Sequence, residues 1–126
     1  MYEIPTAVVV DDNDLTMQVL CDYLAMINVN VLGRGHDGKD AVELYTKYKP
    51  DIVFLDLIMP NYDGFFALSK IRKQNPKSVV IVVTSDLSQE TADKLDMLKP
   101  TKIIYKPFAA EAIAEVVEKI RKTRHK

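Results

Sequence analysis

Four short apolar runs stand out along the chain: Ala7-Val8-Val9-Val10, Ile52-Val53-Phe54-Leu55, Val79-Val80-Ile81-Val82-Val83 and Ile103-Ile104-Tyr105. Runs this short, rich in branched residues and without alternation, predict parallel strands buried on both faces. A weaker strand is read from Asn28 to Leu32, where Val29 and Val31 alternate with asparagines, ending near Gly33. Between the runs the apolar period changes to that of a helix. Leu15, Val19, Tyr23, Leu24 and Ile27 mark a first helix with Asp14 as its N-cap. Ala41, Leu44, Tyr45 and Tyr48 mark a second, stopped by Pro50. Phe65, Leu68, Ile71 and Arg72 mark a third, which runs to about Asn75-Pro76. A fourth, from Leu87 to Leu98 before Pro100, has a thin stripe of Ala92, Leu95 and Leu98. Ala109, Ala112, Ile113, Val116, Val117 and Ile120 give the last and clearest helix. The order is strand then helix, five times over. Right-handed crossovers then predict a parallel sheet with helices on both faces.

Composition adds bounds. The chain has 126 residues, 48% of them hydrophobic and 28% charged, which suits one globular domain over 1–126. A net charge of −1 gives no bulk case for nucleic acid or a membrane surface. No apolar stretch approaches the roughly 18 residues of a membrane span. The start lacks a basic segment followed by an apolar one, so no secretory signal is read and a cytoplasmic setting is expected. The single cysteine, Cys21, falls in an amphipathic helix and reads as an inert, partly buried thiol. His36 and His125 read as exposed bystanders. The acid-free stretch from Lys119 to Lys126 reads as a solvated basic helix end, favoured by the helix dipole.

The chemistry lies where the apolar runs stop. The first ends in Asp11-Asp12, the third-strand run in Asp56, the next in Thr84-Ser85 and the last in Lys106-Pro107. The carboxyl ends of parallel strands form one edge, and that edge is where such sheets bind ligands. Three carboxylates gathered there repel one another. Lys106 and one divalent cation would balance them. Oxygen ligands favour Mg²⁺, with Mn²⁺ as the alternative, and the absence of histidine and cysteine argues against zinc. Thr84 and Ser85 can donate hydrogen bonds to phosphate oxygens, and Lys106 can neutralise one of them. No activated serine or cysteine is apparent, so the Asp56 carboxylate is the natural phosphoryl acceptor. Taken alone, Asp11-Asp12-Asn13-Asp14 is equally a polar turn with a helix cap, and Asp63-Gly64 a cap and turn. The argument rests on four strand ends bearing complementary groups in one chain.

These residues resemble the receiver domain of two-component response regulators, in the stand-alone chemotaxis-regulator style. The resemblance rests on Asp11-Asp12, on the Asp56–Gly64 stretch Asp-Leu-Ile-Met-Pro-Asn-Tyr-Asp-Gly, on Thr84-Ser85 and on Lys106-Pro107-Phe108, and covers almost the whole chain. It implies a flavodoxin-like doubly wound (βα)5 fold with strand order 2-1-3-4-5. It implies Asp56 as phosphoacceptor, with a histidine kinase or phosphotransfer protein as donor. Asp12, Asp56 and the Ile58 backbone carbonyl would bind Mg²⁺ directly, and Asp11 mostly through water. Thr84 and Lys106 would contact the phosphoryl group, and the Lys106-Pro107 bond would be cis. Output would pass by protein contact to a target on the face of the fourth helix and fifth strand, from a monomer or a phosphorylation-dependent dimer, with no direct nucleic-acid or membrane contact.

Several positions depart from the family's pattern or bear on its timing. Ile103 stands where a switch aromatic is usual, and Tyr105, on the same side of its strand, is the candidate replacement. Lys99-Pro100-Thr101 replaces the usual Gly-Ala. Ile58 and Asp86 occupy the positions that flank the hydrolytic water in this family, and an isoleucine cannot orient water, so slow self-dephosphorylation is expected. The alternative function is a Mg²⁺-dependent phosphatase or phosphotransferase with an aspartyl nucleophile. It would want a second carboxylate where Ile58 stands. A flavodoxin-like cofactor binder would want a phosphate loop where Asp11-Asp12 stands.

Overall fold

The computed structural model describes residues 4–124; His125 and Lys126 lie outside them. Strands and helices alternate: β1 (Thr6–Val10), α1 (Asp14–Met26), β2 (Asn30–Gly35), α2 (Gly38–Tyr48), β3 (Ile52–Leu55), α3 (Gly64–Gln74), β4 (Val80–Thr84), α4 (Gln89–Leu98), β5 (Lys102–Tyr105) and α5 (Ala110–Arg124). The five strands form one parallel sheet in the order β2-β1-β3-β4-β5. This is the expected flavodoxin-like order.

The unalternating runs are explained by two cores, one on each face of the sheet. Ala7, Val9, Phe54, Ile81 and Val83 pack with Leu20, Leu24, Ile113 and Val117 of α1 and α5. Val8, Val10, Leu55 and Val82 pack with Ala41, Leu68, Ile71 and Leu95 of α2, α3 and α4. Both kinds of position along a central strand are therefore apolar. The residues of β1 after Thr6, and all of β3 and β4, are buried.

Several local expectations need correction. The N-cap of α1 is Asn13, whose Oδ1 accepts from the Thr16 N–H at 2.9 Å; Asp14 is the first helical residue. The buried stripe of α1 is Met17, Leu20, Cys21 and Leu24, and Leu15 is 75% exposed. Two apolar ridges compete in this helix, and the one at i, i+3, i+4, i+7 faces the sheet. The second strand begins later than read. Asn28, at φ 61°, and Val29 close α1, with the Val29 N–H donating to Leu24 O at 2.9 Å. Pairing with β1 starts at Asn30, and an irregularity opposite Ala7 and Val8 carries the strand on to Gly35. In α4 the buried residues are Thr91 and Leu95, and Ala92 is exposed. Basic Arg121 is no simple solvated side chain. It donates to Ile27 O at 2.7 Å and so caps the end of α1.

Candidate functional site

The backbone ladder brings the site together by running one residue past the strand ends. The Asp11 N–H donates to Gly35 O, the Asp56 N–H to Val10 O and the Lys106 N–H to Thr84 O, at 3.1, 3.0 and 2.9 Å. Asp11 and Asp56 thus continue neighbouring strands at one level of the carboxyl edge. Gly64, the first residue of α3, completes the approach. A Cβ there would overlap the Asp56 carbonyl oxygen, so the helix can sit against this loop only because residue 64 has no side chain. Its N–H donates to Leu57 O at 2.9 Å. Asp63 caps the helix by accepting from the Phe66 N–H at 2.9 Å, the cap and turn expected of Asp63-Gly64.

Asp11, Asp12 and Asp56 place carboxylate oxygens within 4.8 Å of one another. Asp11 and Asp56 are buried, 3% and 6% exposed, while Asp12 faces solvent. Lys106 bridges the buried pair, with Nζ 2.8 Å from Asp11 Oδ2 and 3.3 Å from Asp56 Oδ2. The second oxygen of each carboxylate is held by a backbone amide. Asn13 N–H donates to Asp11 Oδ1 at 2.9 Å and Leu57 N–H to Asp56 Oδ1 at 2.8 Å. Burial first, and the Asp11 charge second, push the Asp56 carboxyl up to about 6, against the opposing pull of Lys106 and the Leu57 amide. Burial pulls the Lys106 ammonium down, but the Asp11 hydrogen bond and the charges of Asp56 and Asp11 outweigh it and raise its pKa. Negative charge in excess at this edge contributes to both shifts, second to burial at Asp56 and against burial at Lys106.

Thr84 is fully buried as the last residue of β4, and Ser85 is exposed just beyond it. Lys106-Pro107 is cis, as expected. Ile58 follows the site in the loop after Asp56, 57% exposed. On β5, Ile103 packs with the residues of α3 and α4, and Tyr105 is 48% exposed. His36 is exposed but not idle, its Nε2 lying 3.0 Å from Asp14 Oδ1. Cys21 is buried, and burial raises its thiol pKa, which suits an inert side chain.

Two features escaped the sequence reading. Asp86 does not face the site; it is turned to α4. Its Oδ2 accepts from the Thr91 hydroxyl at 2.6 Å and its Oδ1 from the Ser88 N–H at 2.8 Å, and these bonds hold its carboxyl below the usual range. The available signal was Asp86 two residues before the Ser88 cap, an Asx-turn spacing. The second is Arg72 of α3, read as part of an apolar stripe. It donates to Lys99 O at 2.9 Å and to Thr101 Oγ1 at 3.3 Å, capping the far end of α4.

The fold and its edge define a doubly wound α/β protein with an acidic, lysine-bridged site at the carboxyl ends of its strands. Residues 7–118 match the family model of the response regulator receiver domain, and the chain belongs to that family, which serves two-component signalling. The chemotaxis protein CheY of Thermotoga maritima is 31% identical over 114 residues, covering 90% of this chain and 95% of that protein. The protein-glutamate methylesterase/protein-glutamine glutaminase 2 of Methanosarcina acetivorans is 36% identical over 123 residues, 94% of this chain but 35% of that protein. Of several relatives the chain spans only about half or less. Among solved structures, the CheX-CheY-BeF3-Mg²⁺ complex from Borrelia burgdorferi aligns with a TM-score of 0.85 at 25% identity, over 91% of this chain and 87% of that one. Receiver domains bind Mg²⁺ at an acidic pocket, and Asp11, Asp12 and Asp56 form an acidic cluster at this edge. Its donor set suits a hard cation: carboxylate oxygens, one of them open to water, and no imidazole or thiolate. Among the described residues, no helix is long and apolar enough to cross a membrane.

Proposed function

We propose that this domain is a Mg²⁺-dependent phosphorylation switch with Asp56 as the acceptor and a histidine kinase or phosphotransfer protein as the donor. One observation carries the reading: Lys106 bridges two buried carboxylates at an edge where a third stands open to solvent. A carboxylate oxygen of Asp56 attacks phosphorus, the bond from phosphorus to the donor's imidazole nitrogen breaks, and that nitrogen keeps the electron pair and takes a proton. Water later attacks phosphorus, the acyl phosphate bond breaks, and carboxylate and inorganic phosphate are restored. Asp12, Asp56 and the Ile58 carbonyl would hold Mg²⁺ directly and Asp11 through water, or Mn²⁺ in its place. The cation would offset charge on the phosphoryl oxygens. Lys106 would pair with the phosphoryl group, and Thr84 would donate a hydrogen bond to it. The cytoplasm, where such donors and a free buried thiol are at home, is the setting of this reading.

The test is incubation with Mg²⁺ and acetyl phosphate, then mapping of the modified residue. We expect one labile phosphoryl group on Asp56 and none on Asp56→Asn. A label that survives this substitution, or no label on the wild type, overturns the reading.

Output would use the groove of about 570 Å³ between α4 and β5, lined by Leu87, Thr91, Leu95, Ile103 and Tyr105 among others. Tyr105 is then the reporter on this face, and Tyr105→Ala is expected to weaken partner binding and its dependence on phosphorylation. The lifetime of the phosphorylated state is a separate expectation. Ile58 is apolar and exposed beside Asp56, and both Asp86 oxygens are engaged with α4. Neither side chain is then disposed to orient the attacking water, so decay should be slow. Ile58→Asn should speed it about fivefold, the worth of one hydrogen bond. Decay of the phosphorylated protein in Mg²⁺ measures this; a wild-type half-life of seconds, or equal rates, counts against it.

A further inference from the structure

Thr84 is the end of a hydrogen-bonded chain that leads into α4. Its Oγ1 accepts from the Asp86 backbone N–H at 3.0 Å. The Asp86 carboxylate is itself fixed by the first turn of that helix, through the Thr91 hydroxyl at 2.6 Å and the Ser88 N–H at 2.8 Å. Ser88 caps the helix independently, its Oγ accepting from the Thr91 N–H at 3.2 Å. Thr91 is only 6% exposed, a hydroxyl in the stripe where an apolar side chain would bury as well. Burying a hydroxyl is favourable only where it finds a partner, and here the partner is Asp86.

The chain has a direction. A hydroxyl offers one proton and two lone pairs. The Thr84 oxygen uses a lone pair on the Asp86 amide, and no hydrogen bond among the described residues uses its proton. The amide thus fixes the oxygen and leaves the hydroxyl proton without a partner among the described residues.

We propose that Thr91 is a positioning residue for the Asp56 site: through Asp86 it holds the backbone amide that presents the Thr84 hydroxyl proton to an incoming phosphoryl group. This rests on Asp56 being the phosphoacceptor. A group that accepts a hydrogen bond from the Thr84 hydroxyl makes its oxygen a better acceptor and so strengthens the Asp86 bond. Coupling between the site and the first turn of α4 is then reciprocal: occupation tightens the turn, and loosening the turn weakens occupation.

The test uses Thr91→Val, which keeps shape and loses the hydroxyl, and Thr91→Ser, which keeps the hydroxyl. Ser88 still caps α4 in both. Two quantities are read on the full chain: hydrogen exchange of the Asp86 amide without ligand, and affinity for beryllofluoride in the presence of Mg²⁺. In Thr91→Val the amide should exchange about tenfold faster and affinity should fall about five- to tenfold, as expected for one lost charge-assisted hydrogen bond. Thr91→Ser should keep both within about twofold. Unchanged exchange or unchanged affinity in Thr91→Val overturns the positioning role, as does an equal loss in Thr91→Ser. If the wild type binds no beryllofluoride and acetyl phosphate leaves Asp56 unmodified, the acceptor reading falls and this proposal with it. If Asp56 is modified normally and only the Thr91 results fail, this proposal falls alone.

Discussion

Lys106→Met is expected to destabilise the metal-free protein by about 3 kcal/mol at pH 7, toward the low end of what breaking a buried ion pair costs. Methionine can follow the path of the lysine stem, so packing is largely kept. What is lost is the ammonium 2.8 Å from Asp11 and 3.3 Å from Asp56. Both carboxylates are nearly inaccessible, so neither can recover full hydration. The low end of the range applies because Asp12 and the cleft mouth admit water. The same substitution should slow phosphoryl uptake from acetyl phosphate by about a hundredfold, as for loss of one preorganised charge on developing phosphoryl oxygens. Urea unfolding at pH 7 and pH 5 separates charge from packing. At pH 5 the Asp56 carboxyl, already raised to about 6, can take up a proton, so the cost should shrink to about half or less. An equal cost at both pH values would mean that the lysine acts through its stem.

The same bookkeeping of charge makes sense of α4. Its apolar anchorage is slight: Leu95 with partly buried Leu98, and otherwise the polar Thr91. It is held by hydrogen bonds at its ends, Asp86 to Thr91 at the start and Arg72 to Lys99 O after its last turn. A helix held this way can shift at the cost of a few exchangeable bonds, and no close-packed core need be remade. The thin stripe read in the fourth helix corresponds to this slight apolar packing. The means of its attachment, polar bonds at both ends, were not expected.

How much could be read in advance follows from the kind of signal. Strands β1, β3 and β4 were plain because a strand covered on both faces leaves no room for polar residues, and the polar residue that ends each run is where the sheet meets solvent. Asp11, Asp12, Asp56, Thr84 and Lys106 were legible for the same reason. Strand β2 was misplaced because it is an edge strand with exposed positions, and because Val29, though buried, belongs to the closing turn of α1. The stripe of α1 was misread because periodicity fixes the presence of a face before it fixes which of two ridges is buried. The bonds of Arg72 to Lys99 and Thr101 were missed because those partners are brought by tertiary approach; those of Asp86 to Ser88 and Thr91, though local in sequence, were missed because an apolar pattern carries no record of a hydrogen bond between a loop and a helix.

The Asp56 carboxyl should give the metal-free protein a pH dependence opposite to that of ordinary acid unfolding. Its pKa is raised from 3.8 to about 6 by burial and by Asp11. A raised folded pKa means that the native state binds the proton more tightly, so this group's contribution is fully present below 3.8 and is lost as pH rises through about 6. Above that range the native state carries a buried charge that the unfolded chain hydrates freely. The shift corresponds to about 3 kcal/mol at face value, and to about 1–2 kcal/mol after allowing for solvent screening at the cleft. Asp56→Asn removes the group that titrates. It should therefore be more stable than the wild type at pH 7 by about that amount, with the advantage fading toward pH 4. Mg²⁺ should stabilise the wild type at pH 7, where it supplies the missing charge, and should do less for Asp56→Asn. Denaturant unfolding of both proteins at pH 4, 5.5 and 7, in EDTA and in Mg²⁺, measures all of this. A metal-free Asp56→Asn protein no more stable than the wild type at pH 7 would show that Lys106 and the Leu57 amide already compensate the Asp56 charge in full, and that the excess of negative charge at this edge is smaller than the geometry implies.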